Sequence, residues 1–510
     1  MTLNHRRIWA IVAISTWPAL NYLEANWAEV VRRGPRSVTW VAVYTLLFAA
    51  CGLVAYRIAG KRRPGGGGLV VGVCLAMTVL VFSYSSLDSL REWLFTPHLP
   101  WFTTPMAWAA LIAAAIALMY RFRRHTKLHE ASITFCLLVA GLAVARLIVA
   151  IVEYDPPVVE TAEGGLPAKV PPRLPGMNVY YILVDAYAGR RALREVAGYD
   201  NTPFYTDLEK RGFIDASTEH SNYLRTVLTL GGIFALDYPR TDDPATWEST
   251  KLTYPEIFDA AKPPPLIRRL HAAGYAAWHS ATPWGGCTHR YLKCLGDEFM
   301  LESDYVTRTF LAPTPLGRPL EFLHATTEDA FASVETRLPL IERQERQVFV
   351  FAHLMDAHPP FQYDTNCGKK WTRGDDWNGW HKGLEHEYVD AIKCVNKRVE
   401  HLVDFILARQ PNSIIVLQGD HGSAFRVEWD KPMAKWSQES IAERASYLNL
   451  VLAPRDCRQW LAHPLGQINT ARFVAACVEG RAPEYIAERT YMTTYSTGAE
   501  ANVVRLAPPF

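Results

Sequence analysis

The chain has 510 residues, with 53 lysines and arginines against 51 aspartates and glutamates and a formal net charge of +2. So balanced a charge leaves no basic footprint for nucleic acid and no field that would select a strongly charged partner. Function must therefore be sought in local clusters of residues.

Apolar stretches run over Ile8 to Trp27, Ser37 to Ala59, Leu69 to Tyr84, Thr104 to Tyr120 and Ser132 to Val152, each close to the ~20 residues a bilayer helix needs. They predict an integral membrane domain of about five helices over 1–152. Pro18, Asn21, Glu24 and Asn26 interrupt the first, whose tryptophans and lack of a small-residue cleavage site argue against a cleaved signal peptide. Arg57, Lys61, Arg62 and Arg63 follow the second span, and Arg121, Arg123, Arg124 and Lys127 follow the fourth. Positive charge marks cytoplasmic loops, so five spans place everything after Val152 outside.

Residues 153–177 read as a linker, with Pro156, Pro157, Gly164, Gly165, Pro167, Pro171, Pro172 and Pro175. The remainder, 178–510, is long enough for one large α/β domain or a domain with insertions. Cys51, Cys74 and Cys136 fall inside the spans, while Cys287, Cys294, Cys367, Cys394, Cys457 and Cys477 fall in the exported part. An even number outside the cytosol suggests disulfides, and proximity in sequence pairs Cys287 with Cys294, Cys367 with Cys394, and Cys457 with Cys477. A zinc site is the rival reading, without a C-x-x-C spacing to support it.

Four short apolar runs in this part end in polar residues. Asn178 to Val184 leads to Asp185, Ala276 to Trp278 to His279, Gln347 to Ala352 to His353 and His358, and Ser413 to Leu417 to Asp420 and His421. In an open parallel sheet the carboxyl ends of the strands share one crevice, so these groups are expected to meet. In Gly419-Asp420-His421-Gly422 a carboxylate and an imidazole flanked by glycines can face one cation. Zinc suits such a mixed donor set, and manganese is the alternative. Thr226 stands near the start of an apolar helical pattern, where a hydroxyl either caps the helix or meets phosphate at the positive end of its dipole. Tyr388, Asp390 and Lys393 read as the solvated face of an amphipathic helix.

Together these residues resemble the alkaline phosphatase and sulfatase superfamily, and within it the membrane-bound phosphoethanolamine and phosphoglycerol transferases and lipoteichoic acid synthases. Tyr180 to Tyr187 is similar to the first strand with its metal-binding acid, Thr226-x-x-Thr229 to the nucleophile motif, His353 and His358 to the paired histidines that contact the transferred group, and Gly419 to Gly422 to the late metal motif. The resemblance implies an α/β/α domain with a mainly parallel sheet behind the helical transmembrane bundle, on the periplasmic side of a multi-pass protein of the bacterial inner membrane. It implies a divalent metal on Asp185, Thr226, Asp420 and His421, with Thr226 as nucleophile and His353 and His358 as catalytic groups. The expected donor is a membrane phospholipid and the acceptor an envelope glycan or lipid, with His279, Asn222 and Trp284 expected to bind substrate. The chain lacks the C/S-x-P-x-R motif of formylglycine sulfatases, carries Ser423 where the transferases often have Glu, and offers no second acid and histidine set, so one metal is expected. A hydrolase using the same groups, and a degenerate domain serving envelope assembly, are the rival functions.

Overall fold

The computed structural model describes residues 2–27, 30–31, 35–62, 66–87, 90, 103–153, 177–243, 256–258, 262–280, 290–296, 306–307, 309–317, 330–370, 379–493 and 503–506. Trp284, Cys287 and nearly all of the 153–177 linker lie outside them. The chain divides into two units, Met1–Pro156 with Phe299–Thr326, and Pro157–Glu298 with Thr327–Phe510.

The first unit contains the helices Leu3–Ala25, Thr39–Arg62, Gly66–Phe82, Thr103–Arg121 and Thr126–Glu153. Three are long and apolar enough to cross a membrane: Thr39–Ile58, Thr103–Arg121 and Thr126–Glu153. Against the expectation of about five, these three are the ones among the described residues that have both the length and the hydropathy of a span. Gly66–Phe82 is apolar but has only 17 residues, and Leu3–Ala25 has the length but carries Arg6, Arg7, Pro18 and Glu24. Ala10, Ile11, Ile14, Val70, Val71, Ile133 and Cys136 form an inner seam. Outward, Leu46, Leu138 and Val152 are 69%, 66% and 78% exposed, an apolar surface suited to lipid rather than water.

A piece of chain from far downstream completes this unit. Val306, Phe310 and Leu311 are buried with Ala19 and Val41; the Phe310 ring meets Tyr22 edge-on at 5.6 Å, and Ser85 N–H donates to Pro313 O at 3.2 Å. The apolar side chains of this piece therefore group Phe299–Thr326 with the helices rather than with an undivided 178–510 domain.

In the second unit, the strands are β1 (Val179–Val184), β2 (Ile214–Asp215), β3 (Ala276–Ser280), β4 (Lys293–Cys294), β5 (Val348–Leu354), β6 (Ile414–Gly419), β7 (Asn449–Leu452), β8 (Thr490–Thr493) and β9 (Val503–Leu506). The first seven form one sheet in the order β2-β7-β6-β1-β5-β3-β4. β6, β1, β5, β3 and β4 run parallel, while β7 and β2 join antiparallel at one edge. All six residues of β1 are buried, because both faces of a parallel sheet are covered by helices. Tyr180, Ile182 and Val184 point into one core with helices Ala330–Gln344 and Glu385–Arg409. Val179, Tyr181 and Leu183 point into the other, with helices Thr226–Ala235, Pro265–Ala272 and Gln467–Glu479. This is the expected α/β/α architecture.

Disulfides join Cys367 to Cys394 and Cys457 to Cys477. Cys294 is disulfide-bonded as well, and Cys51, Cys74 and Cys136 are free.

Candidate active site

Strand register brings the site together. β1 lies between β5 and β6, with Val184 opposite both Leu354 and Gly419. The residues that follow, Asp185 and Asp420, therefore emerge side by side at the carboxyl end of the sheet. Asp185 N–H donates to Leu354 O at 2.8 Å, and Ala186, in the left-handed region at φ 57°, turns its N–H onto Asp420 Oδ1 at 2.9 Å. Tyr388 clamps this turn, donating to Ala186 O at 2.8 Å and accepting from Ala188 N–H at 3.1 Å. Tyr388 is buried, which corrects its reading as a solvated position. Asp390 and Lys393 do keep partial exposure.

The Asp420 turn is held by other buried groups. Gln467 Nε2 donates to Gly419 O at 3.1 Å and to Asp420 O at 2.8 Å, and Thr229 Oγ1 donates to Asp420 O at 3.2 Å. Ser423 donates to Glu443 Oε1 at 2.6 Å; the Glu443 carboxylate also accepts from the N–H groups of Phe425 and Arg426. The flanking glycines are needed for closeness of backbone rather than unusual φ. A Cβ on Gly419 would stand 2.6 Å from Tyr187 O, and one on Gly422 2.5 Å from Ser446 O.

Thr226 is the first residue of its helix, and the N-cap is Arg225. The threonine hydroxyl therefore does not cap. It lies 3.1 Å from His421 Nε2. His421 Nδ1–H donates to Gly422 O at 3.0 Å, which leaves Nε2 as the accepting nitrogen. Arg444, a buried residue with no place among the sequence motifs, donates through Nη2 to the same Nε2 at 2.9 Å.

Asp185, Asp420 and His421 each offer a ligand atom within 4.8 Å of the others, and all three are buried. Asp185 Oδ1 and Asp420 Oδ2 have no hydrogen-bond partner. Two unsatisfied buried carboxylate oxygens beside an accepting imidazole nitrogen fit a divalent metal. The electrostatics point the same way. Burial works against ionisation of Asp185, but the hydrogen bond from His353 and the fields of His358 and His421 outweigh it and hold this carboxyl well below the usual carboxylate range. Burial and the facing charge of Asp185 push Asp420 well above that range. Burial, followed by Arg444, lowers His421 well below an ordinary histidine, the neutral form a metal requires.

The other expected residues are distributed as follows. His353 lies inside β5 rather than beyond it, fully buried, with Nε2 3.1 Å from Asp185 Oδ2. His358 follows the strand; its Nδ1–H donates to Pro359 O at 2.7 Å, and burial lowers its pKa against the pull of Asp185. His279 lies inside β3, buried and stacked on Phe351 with ring centroids 5.5 Å apart. The Asn222 carboxamide is engaged at both ends, donating to Tyr238 Oη, Glu488 Oε2 and Arg489 O and accepting from Ile468 N–H. Asn222 O also accepts from Tyr491 N–H at 2.9 Å, tying the loop before Thr226 to the C-terminal strands.

Residues 178–445, more than half of the chain, match the sulfatase family model. The chain belongs to the sulfatase family. The matched stretch opens one residue before β1 and closes one residue after Arg444, so it contains Asp185, Thr226, Asp420, His421 and Arg444. Comparison with curated proteins finds no match. Solved structures similar to this sulfatase-family chain include the C-terminal periplasmic domain of EcEptC from Escherichia coli, at 13% identity over 66% of this chain and 96% of that one, TM-score 0.39. The integral membrane lipooligosaccharide phosphoethanolamine transferase A from Neisseria meningitidis aligns at 11% identity over 93% and 92%, TM-score 0.37. The lipoteichoic acid synthase LtaP from Listeria monocytogenes aligns at 12% identity over 62% and 78%, TM-score 0.37.

Proposed function

We propose that this sulfatase-family chain is a membrane-anchored phosphotransferase. It moves a phosphoryl-linked head group, phosphoethanolamine or phosphoglycerol, from a membrane phospholipid to an envelope glycan or lipid through a covalent Thr226 intermediate. The observation that carries the reading is the Thr226 hydroxyl, 3.1 Å from the accepting nitrogen of His421, beside two buried carboxylates with unsatisfied oxygens.

Asp185, Asp420 and His421 would hold a divalent metal, zinc by its donor preferences and manganese as the alternative. Such a cation supplies Lewis acidity, which lowers the pKa of a hydroxyl and offsets charge that develops on phosphoryl oxygens. Thr226 Oγ attacks phosphorus; the bond to the diacylglycerol oxygen breaks, and that oxygen leaves with the proton Thr226 gives up. His358, kept neutral by burial, relays that proton, and in the second step it takes one from the acceptor hydroxyl. His353, bonded to Asp185, acts as a positioning residue. The apolar helices anchor the chain in the membrane that supplies the donor, which raises the donor's effective concentration. Arg121, Arg123, Arg124 and Lys127, at the start of the Thr126–Glu153 span, support a cytoplasmic side there and an extracytoplasmic catalytic unit.

The test is the intact mass of purified, metal-loaded protein after incubation with bacterial phospholipids, beside Thr226→Ala. An adduct on the wild type alone supports the reading, and its mass separates phosphoethanolamine from phosphoglycerol. Lipid cleavage by the alanine variant at the wild-type rate would overturn it.

A further inference from the structure

We propose that Arg444 is a catalytic residue that grips the transferred phosphoryl group, an inference that rests on the phosphotransfer reading. Arg444 stands in the last turn of the Gln438–Ala445 helix and is 3% exposed. Two carbonyls fix its guanidinium: Nε donates to Leu224 O at 3.2 Å and Nη1 to Gly422 O at 3.0 Å. The anchors belong to the two segments that carry the chemistry, one just before Thr226 and the other just after His421. The remaining nitrogen, Nη2, is aimed at His421 Nε2, 2.9 Å away, the same atom that Thr226 Oγ1 approaches to 3.1 Å.

One imidazole lone pair cannot serve two donors and a cation. With His421 acting as a metal ligand, Nη2 needs another acceptor, while its two anchored neighbours keep the fork beside Thr226. The acceptor that must come there is the anion under attack. Charge balance agrees. Ionised Asp185 and Asp420 offset a divalent cation, which leaves the Arg444 charge uncompensated in a buried site. Glu443, next in sequence, spends its carboxylate on Ser423 and on the N–H groups of Phe425 and Arg426. Arg225 brings a second guanidinium, and the two lie over the Trp429 ring at 5.1 Å and 6.0 Å. A planar fork between a nucleophile and a cation site matches phosphoryl oxygens in shape and charge.

Calorimetry on the full-length, zinc-loaded protein tests the contact, with inorganic phosphate as probe and wild type, Arg444→Gln and Arg444→Lys as samples, zinc content being measured on each. We expect unchanged zinc in all three, phosphate affinity at least tenfold weaker in Arg444→Gln, and a smaller loss in Arg444→Lys, which keeps the charge without the fork. Equal phosphate affinity at equal zinc overturns the proposal, as does a wild type that binds no phosphate. Loss of zinc from the variants overturns it too, since Arg444 would then serve to seat His421. If Arg444→Gln does not fold, Arg444→Lys decides by the same readouts. Glycerophosphoethanolamine as a second probe tells a site fitted to diesters from one fitted to free phosphate; a loss with either probe supports the contact. Turnover by Thr226→Ala would remove the covalent mechanism alone, because phosphate binding is read independently of turnover.

Discussion

Asp185 and Asp420 emerge from neighbouring parallel strands into one buried space, where the first stays ionised and the second is driven toward its protonated form. The asymmetry arises because His353 donates to Asp185, whereas Asp420 faces the charge that results. Metal-free Asp420 therefore keeps a proton at pH values where an ordinary carboxylate has lost it. A divalent cation that uses both carboxylates must displace that proton, so affinity rises with pH and falls as acid protonates Asp420. Zinc binding at neutral pH should release about one proton, which calorimetry in buffers of different ionisation enthalpy measures. Asp185→Asn and Asp420→Asn should each lower zinc content, read by elemental analysis.

Thr226→Ala should reduce lipid turnover by at least about a thousandfold, since removal of a nucleophile is among the costliest active-site changes. Its hydroxyl caps no helix, so circular dichroism and the thermal midpoint should stay near those of the wild type. Thr226→Ser should retain measurable turnover.

Gly422→Ala should strip the metal without touching a ligand. The added methyl would meet Ser446 O at 2.5 Å and also fall on Glu443 O. Backbone atoms cannot swing aside, so the turn that aims His421 must shift. Zinc content is the measurement, and a variant with full occupancy would contradict the argument.

Loss of the Cys457–Cys477 bridge should destabilise the catalytic unit. It closes a separation of 20 residues between buried sulfurs, for which chain entropy gives about 3 kcal/mol. A paired Cys457→Ala and Cys477→Ala protein should melt below the wild type under oxidising conditions. Reductant should erase the difference.

The convergence of Asp185, Asp420 and His421 was legible because each follows a short buried run, and parallel strands deliver their carboxyl ends to one crevice. The same logic misplaced His353 and His279 beyond their strands, since a buried histidine does not end an apolar run when it is paired or stacked within the sheet. Tyr388 and Arg444 left no motif: each bonds a backbone carbonyl roughly 200 residues away, at Ala186 and Leu224, and only folding reveals which carbonyls those are. At Leu3–Ala25 the apolar stretch between Arg7 and Glu24 is interrupted by Pro18 and Asn21, and composition alone does not separate a packed helix from a spanning one.

The downstream piece that finishes the helical unit bears on how the catalytic half can be isolated. Because the chain leaves that half at Glu298 and returns at Thr327, a protein begun at residue 178 would keep Val306, Phe310 and Leu311 while discarding Ala19 and Val41, which cover them. Such a fragment would expose Val306, Phe310 and Leu311 to water and self-associate. A monodisperse soluble version calls for removing 299–326 as well as the first 156 residues.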